Sequence, residues 1–329
     1  MNKFALTLLA LVTSISTFAQ DVKELPKEVS KRYEQKLDQS LSDEFNASKL
    51  DKNKWARRNT GGAYVENYFR DKSLVTFESE KEGNKTTQFI SMKGISSDGK
   101  IRTAGIVSTA SGFYGFYVTR FRFRGLSTEN VAKNKTIWHP SVWGGMLDNA
   151  EGVVKRTNKS KYWLELDMME WDPGKNGWGS HTNARFLDSN GKSRIVSAKD
   201  NEKAKMVDDI QYPKEEWITL GLEYTPEELV AWQWKDGKWV KINDREVKFV
   251  DVDTSNPEAS YTIDKIGKDS RQPVFWMLGN VVSRYLYKRI EDGTVKHSMD
   301  DMSVDFDYFR YYPHTSTTGT HWSWRNEKE

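Results

Sequence analysis

From Phe45 onward the chain alternates short runs of β-branched and aromatic residues with polar turns, as in Leu74-Val75-Thr76-Phe77, Phe113 to Phe123, Trp217 to Tyr224 and Leu229 to Trp234. Runs of this length with a period of two predict strands rather than helices. Between them stand Gly61-Gly62, Asp98-Gly99, Asn190-Gly191, Asp236-Gly237 and Asp292-Gly293, pairs that tolerate the positive backbone angles of tight hairpins. Together these features predict an all-β fold, an antiparallel sandwich. In Tyr114 to Arg124, Phe121 and Phe123 alternate with Arg120, Arg122 and Arg124, which predicts one packed apolar face and one wet basic face.

No internal repeat, low-complexity segment or Pro/Gly/Ser-rich linker interrupts this pattern, so residues 41–313 read as one domain. The roughly 310 residues that follow the first 20 would by length alone suit one large all-β domain or two small ones. Residues 1–20 read as an export signal: Lys3 precedes an apolar run from Phe4 to Val12, and small residues lead to cleavage after Ala19 or Gln20. That run is too short to span a membrane, so a secreted or periplasmic protein is expected. Residues 21–40 form a charged leader, either a short helix or disordered, with no function assigned. The tail, 314–329, carries Trp322 and Trp324 in polar surroundings and either folds back over the sheet or frays.

The chain has no cysteine, which excludes disulfides, thiolate metal sites and a lipidated N-terminal cysteine. With 50 basic and 47 acidic residues the net charge is only +3, too balanced to argue for nucleic acid. Aromatic content changes the picture more. Thirteen Trp and 14 Tyr exceed the needs of a core, and such rings suit the stacking of sugars in an open groove, although sandwich cores also use many aromatics.

The segment Tyr162-Trp163-Leu164-Glu165-Leu166-Asp167-Met168-Met169-Glu170 carries the most chemistry. In a strand Trp163, Glu165 and Asp167 share one face, and Leu164 and Leu166 the other. Glu170 is out of phase with Glu165, but one extra residue at Met168-Met169, taken up as a β-bulge, returns it to the acidic face. Crowded carboxylates repel one another and raise at least one pKa, a cost that chemistry commonly explains. Solvated acids on an exposed edge fit the spacing too; the flanking Trp163, Leu164, Leu166, Met168 and Met169 favour a buried strand and catalysis. Retaining glycosidases need two carboxyl groups ~5–5.5 Å apart, one ionised to attack and one protonated to release the leaving oxygen.

Glu165-Leu166-Asp167-Met168-Met169-Glu170 resembles the bulged active-site motif of glycoside hydrolase family 16, in the branch of agarases, porphyranases and carrageenases. Other stretches are similar to family landmarks in the right order. Asp43-Glu44-Phe45-Asn46 with Leu50-Asp51 and Trp55 resembles the opening strand, and Tyr114-Gly115-Phe116-Tyr117 with Arg120 the Tyr-Gly strand. Trp138-His139-Pro140-Ser141-Val142-Trp143 resembles the segment that places a Trp in the cleft, and Ser303 to Tyr312 the closing strand. The resemblance implies a jelly-roll sandwich with a concave substrate cleft. It implies Glu165 as nucleophile, Asp167 as its assistant and Glu170 as general acid and then base, acting inside a polysaccharide.

Leu164 stands where the family's glucan-cleaving members usually have Gly, which favours red-algal galactans of the agar or porphyran type. Trp178-Gly179-Ser180-His181-Thr182-Asn183 resembles the next cleft strand of agarases and porphyranases, so His181 and Asn183 are expected at galactose hydroxyls, with Trp143 and Trp163 as stacking rings. Arg57, Arg58, Arg70 and Arg185 are candidates for a sulfate-binding groove. An endo-β-1,3-glucanase of laminarinase type and a κ-carrageenase-like enzyme are the alternatives, and a non-catalytic glycan-binding module ranks last because all three acids remain. No cofactor is expected for catalysis. Asp307 matches the position where many relatives bind a structural calcium, although such an Asp also caps turns. A monomer acting on a polysaccharide is expected, with no nucleic acid partner. No phosphate loop, paired zinc histidines or serine nucleophile elbow occurs.

Overall fold

The computed structural model describes residues 24–58, 68–96, 101–125, 138–145, 162–172, 177–187, 193–197, 215–225, 228–248, 274–282 and 302–315. The expected export signal at 1–20, Trp322 and Trp324 lie outside these, as do four of the five predicted turns. The fifth, Asp236-Gly237, joins β13 (Glu228–Lys235) to β14 (Lys238–Lys248) with φ of 51° and 75°, the two positive angles that a type I′ hairpin requires.

The predicted sandwich is present as two seven-stranded antiparallel sheets. The first contains, in spatial order, β1 (Trp55–Arg57), β6 (Gly105–Ser108), β15 (Phe275–Val282), β8 (Trp138–Gly145), β9 (Tyr162–Asp172), β10 (Gly177–Leu187) and β11 (Ser193–Ser197). The second contains β14, β13, β12 (Ile218–Tyr224), β7 (Gly115–Arg124), β16 (Ser303–Pro313), β4 (Lys85–Lys93) and β3 (Val75–Glu82). A small parallel pair joins β2 (Tyr68–Arg70) to β5 (Ile101–Thr103). Among the described residues no helix is long and apolar enough to cross a membrane.

Between the sheets lies one apolar cluster that includes Trp55, Tyr117, Phe121, Phe123, Trp138, Leu166, Trp276 and Phe309. Alternation along each strand delivers these side chains inward. Burial raises the ionisation of Tyr117 and Tyr224 well above the usual phenol range, so both remain neutral inside this core. The opening stretch is less regular than a strand: Asp43 makes an isolated bridge to Phe309 and Phe45 has a φ of 45°, while Phe45, Leu50 and Trp55 still bury in the core.

The outer face of β7 departs from expectation, because it is not wet. Arg120 is only 3% exposed and Arg122 only 7%. Both guanidinium groups stack on Trp217, and Arg122 and Arg124 also lie over Phe89. Their charges meet Asp307, Asp305, Glu80 and Glu78. Arginine suits this role because its planar, weakly hydrated head stacks and pairs at once.

The charged leader is likewise part of the domain. Leu25, Val29 and Tyr33 bury against Phe116, Val118, Val230, Trp232, Tyr308 and Tyr312 on the second sheet. A single 3-10 turn, Ser30–Arg32, sits within it. Tyr33 Oη donates to Glu223 Oε1 at 2.6 Å, and Arg32 reaches the same oxygen at 3.0 Å. Backbone bonds from Glu34 to Pro313 and from Thr315 to Arg32 tie the leader to the start of the tail. Its charges sit on the solvent side of an apolar stripe, which explains why composition alone suggests a loose leader.

Asp305 is 0% exposed, with Arg122 Nε at 3.0 Å and Arg124 Nε at 2.6 Å. Asp305→Ala would leave two confined guanidinium groups short of a counter-charge, and is expected to cost about 3–5 kcal/mol in urea unfolding. A loss below about 1 kcal/mol would contradict this account of the face.

Candidate active site

Strand β9 holds all three acids, and its register decides where they stand. Against β8, Val142 is opposite Met169 and Trp143 opposite Asp167, so one step on β8 spans two on β9. Against β10, Gly179 is opposite Glu170 and His181 opposite Asp167. One β10 residue therefore faces Met168 and Met169 together. This is the extra residue expected of the sequence, and both methionines bury in the inter-sheet core with Leu166. Apolar side chains at both bulge positions give the distortion an inward anchor.

Parity then assigns faces. Trp138 and Val142 of β8 belong to the core cluster, so His139, Ser141 and Trp143 occupy the outer positions of that strand. A register row crosses the sheet through Ala56, Val107, Met277, Trp143, Asp167 and His181. Asp167 is 4% exposed. Glu170 is more open, with 31% of its side chain exposed. Its carboxylate Oε1 lies 2.9 Å from Nε2 of His139, which places Glu170 on the same outer side as Trp143. Glu165 occupies a strand position of Asp167's parity, opposite Gly145 on β8 and Asn183 on β10; its side chain lies outside the described residues. Ser141 and Gly179 flank Glu170, so small residues border that acid on both sides.

Arg58 and Trp143 come together as a unit. The Arg58 guanidinium carbon lies 5.2 Å from the centre of the Trp143 ring, and Arg58 is 9% exposed while Trp143 is half-buried. The amide of Arg58 donates to the Gly105 carbonyl at 2.8 Å, which extends β1 pairing by one residue and fixes the side chain's origin. Arg57 instead donates to the backbone of Lys72. For the other candidates only the backbone is described: Trp163 is opposite Arg185, Asn183 opposite Glu165, and Arg70 opposite Thr103 in the parallel pair. The side chains of Trp163, His181, Asn183, Arg70 and Arg185 lie outside the described residues.

His139 is the site residue that sequence reasoning did not single out. Its signal is its parity with Trp143, two strand steps away. Asp307, the calcium candidate, has a different partner from the one expected. It is the extra residue of a second bulge, between Phe306 opposite Phe121 and Tyr308 opposite Arg120, and its carboxylate pairs with the buried Arg120. Glu44, which lines the same shallow pocket, forms a two-pronged pair with Arg310 at 2.7 and 2.5 Å. Both acids carry guanidinium partners, and among the described residues no group of three or more His, Cys, Asp or Glu could hold a metal. A calcium ion at Asp307 would have to compete with the Arg120 guanidinium for the carboxylate.

Two stacked antiparallel sheets, with an acid-bearing bulged strand inside one of them, define a jelly-roll sandwich, the fold of glycoside hydrolase family 16. No family model matches the sequence, and no curated protein matches it. Solved structures do. The β-porphyranase of the human gut bacterium Bacteroides plebeius aligns with a TM-score of 0.51 and 18% identity, over 84% of this chain and 90% of that one. Porphyranase B of Zobellia galactanivorans gives 0.51 and 16%, over 84% and 92%. A family 16 endo-glucanase from Bacteroides ovatus gives 0.52 and 13%, over 82% and 99%. At these identities the likeness is one of fold.

The pairing of Arg58 with Trp143 is measurable without any substrate. A double-mutant cycle of Arg58→Ala and Trp143→Ala, read by chemical unfolding, is expected to give a coupling of about 0.5–1 kcal/mol. Strictly additive effects would contradict the contact.

Proposed function

We propose that this chain is an exported, retaining endo-β-glycosidase of glycoside hydrolase family 16, with Glu165 as nucleophile, Asp167 as the acid that holds it and Glu170 as general acid and then base. The observation that carries this reading is the shift in β9 register, which puts Glu170 on the outer face with Asp167 while Glu165 keeps Asp167's parity. In the first step the Glu165 carboxylate attacks the anomeric carbon, the glycosidic C–O bond breaks, and the Glu170 proton goes to the leaving oxygen. In the second, water attacks the same carbon, Glu170 takes its proton, and Glu165 leaves as a carboxylate. Asp167, buried and two residues along β9 from Glu165, is assigned the role of holding the nucleophile's carboxyl through a hydrogen bond or a shared proton.

The substrate class proposed is a red-algal galactan of the agar or porphyran type. Leu164 in place of Gly supports it, and so does the Arg58–Trp143 pair, since a cation beside a stacking ring suits a sulfated sugar. The two porphyranases with the same fold are consistent with that choice. A second reading, an endo-β-1,3-glucanase, draws on the endo-glucanase of equal likeness.

Reducing-end release from porphyran, agarose, κ-carrageenan and laminarin tests both readings. Cleavage of porphyran or agarose is expected, and cleavage of laminarin alone would overturn the galactan assignment. Glu170→Gln is expected to lower kcat by about 10²–10⁴-fold, and Glu165→Gln by several orders of magnitude, with the thermal melt nearly unchanged. Full activity in either variant would refute the role assigned to that residue.

A further inference from the structure

We propose that His139 is the positioning residue of the acid/base Glu170, aiming its carboxyl and sharing its catalytic proton. The inference rests on the function proposed above and adds a member to the site. Its ground is geometric. His139 and Glu170 sit on adjacent strands, β8 and β9, with Nε2 2.9 Å from Oε1. The imidazole is the more sheltered partner, 14% exposed against 31% for the carboxylate. Trp138 and Pro140, its neighbours in sequence, are buried, so the ring projects from a fixed stretch of backbone.

The chemistry of a retaining site gives this contact two uses. Glu170 must donate a proton in the first step and act as a carboxylate base in the second. At 2.9 Å a small turn of ring and carboxyl toward each other lets the imidazole serve both states: its bare Nε2 accepts from a protonated carboxyl, and its Nε2–H donates to an ionised one. The carboxyl keeps one orientation while its protonation changes. A proton shared across this contact would leave at a higher pH than one held by the carboxyl alone.

Among the described residues, the ionisable groups near the pair lie on β9, β10 and the end of β1. On β9 they are Glu165 and Asp167 on one side of Glu170 and, two residues beyond it and opposite Gly177 of β10, Asp172; on β10 His181 is opposite Asp167, and Arg58 reaches over Trp143 from the end of β1. Strand β15, on the other side of β8, places Val281 opposite His139 and Gly279 opposite Ser141, and neither titrates. Among the described residues Glu170 is the acid whose carboxylate is placed at 2.9 Å from His139, and Asp172 shares its strand parity.

The test is the pH profile of kcat/KM on whichever polysaccharide the wild-type enzyme cleaves, measured for His139→Gln and His139→Leu. Gln can donate a hydrogen bond but cannot hold the shared proton. For His139→Gln the alkaline limb is expected to move to lower pH by at least about one unit, with most of the rate kept on the acidic side. His139→Leu should show the same displaced limb and a lower maximum. Both variants should lose less on an aryl glycoside of the same sugar than on the polysaccharide, because a phenolate leaves without a proton and only the base step then calls on Glu170. An unmoved limb in both variants, or an equal loss on the aryl glycoside and the polysaccharide, would reduce His139 to a structural residue and overturn the proposal. If Glu170→Gln itself left polysaccharide cleavage intact, the failure would lie in the assigned function and not in His139.

Discussion

One residue more on β9 than on either neighbouring strand is the constraint on which the site depends. A regular strand would send Asp167 and Glu170 to opposite faces. The surplus at Met168-Met169, visible as a register shift against both β8 and β10, cancels the mismatch. The same two methionines fill the inter-sheet core, so the distortion is held from inside by packing and expressed outside as a common face for Asp167 and Glu170. Losing either side chain would weaken the anchor of the bulge before it touched an acid.

The rest of the molecule is arranged so that the first sheet keeps an outer face for this work. On the second sheet, the leader covers Phe116 and Val118 at one end of β7, and Trp217 with a set of acids covers Arg120, Arg122 and Arg124 at the other. Each buried guanidinium there has a carboxylate, as a low-dielectric site demands. On the first sheet the polar groups have a different character. Asp167, Glu170, His139 and Arg58 converge beside an aromatic ring, and a sugar presents hydroxyls and an apolar face that such a surface can meet.

Local pattern made the sheets, the bulge and the Asp236-Gly237 hairpin legible, because each rests on residues close together in the chain. What was hidden depends on long-range partners. Arg120, Arg122 and Arg124 read as a wet face, since nothing near them announces Asp305, Asp307, Glu78 or Trp217. The leader read as either a short helix or a disordered stretch because its apolar stripe, Leu25, Val29 and Tyr33, is sparse among charges. Asp307 suggested a calcium ligand, but Arg120 stands against it across the β7–β16 pair. His139 passed unremarked because a single histidine in a strand carries no spacing of its own. Only the β8–β9 pairing gives it Glu170.

The central claim is that acids at 165, 167 and 170 act together from one face, close enough for a covalent double displacement. The anomeric configuration of the first-formed product tests this most directly. Proton NMR during early hydrolysis of the cleaved polysaccharide should show the β-anomer of the new reducing end first, with the α-anomer growing in only through mutarotation. Initial appearance of the α-anomer would mean that water attacks directly across a wider gap, and would contradict the account.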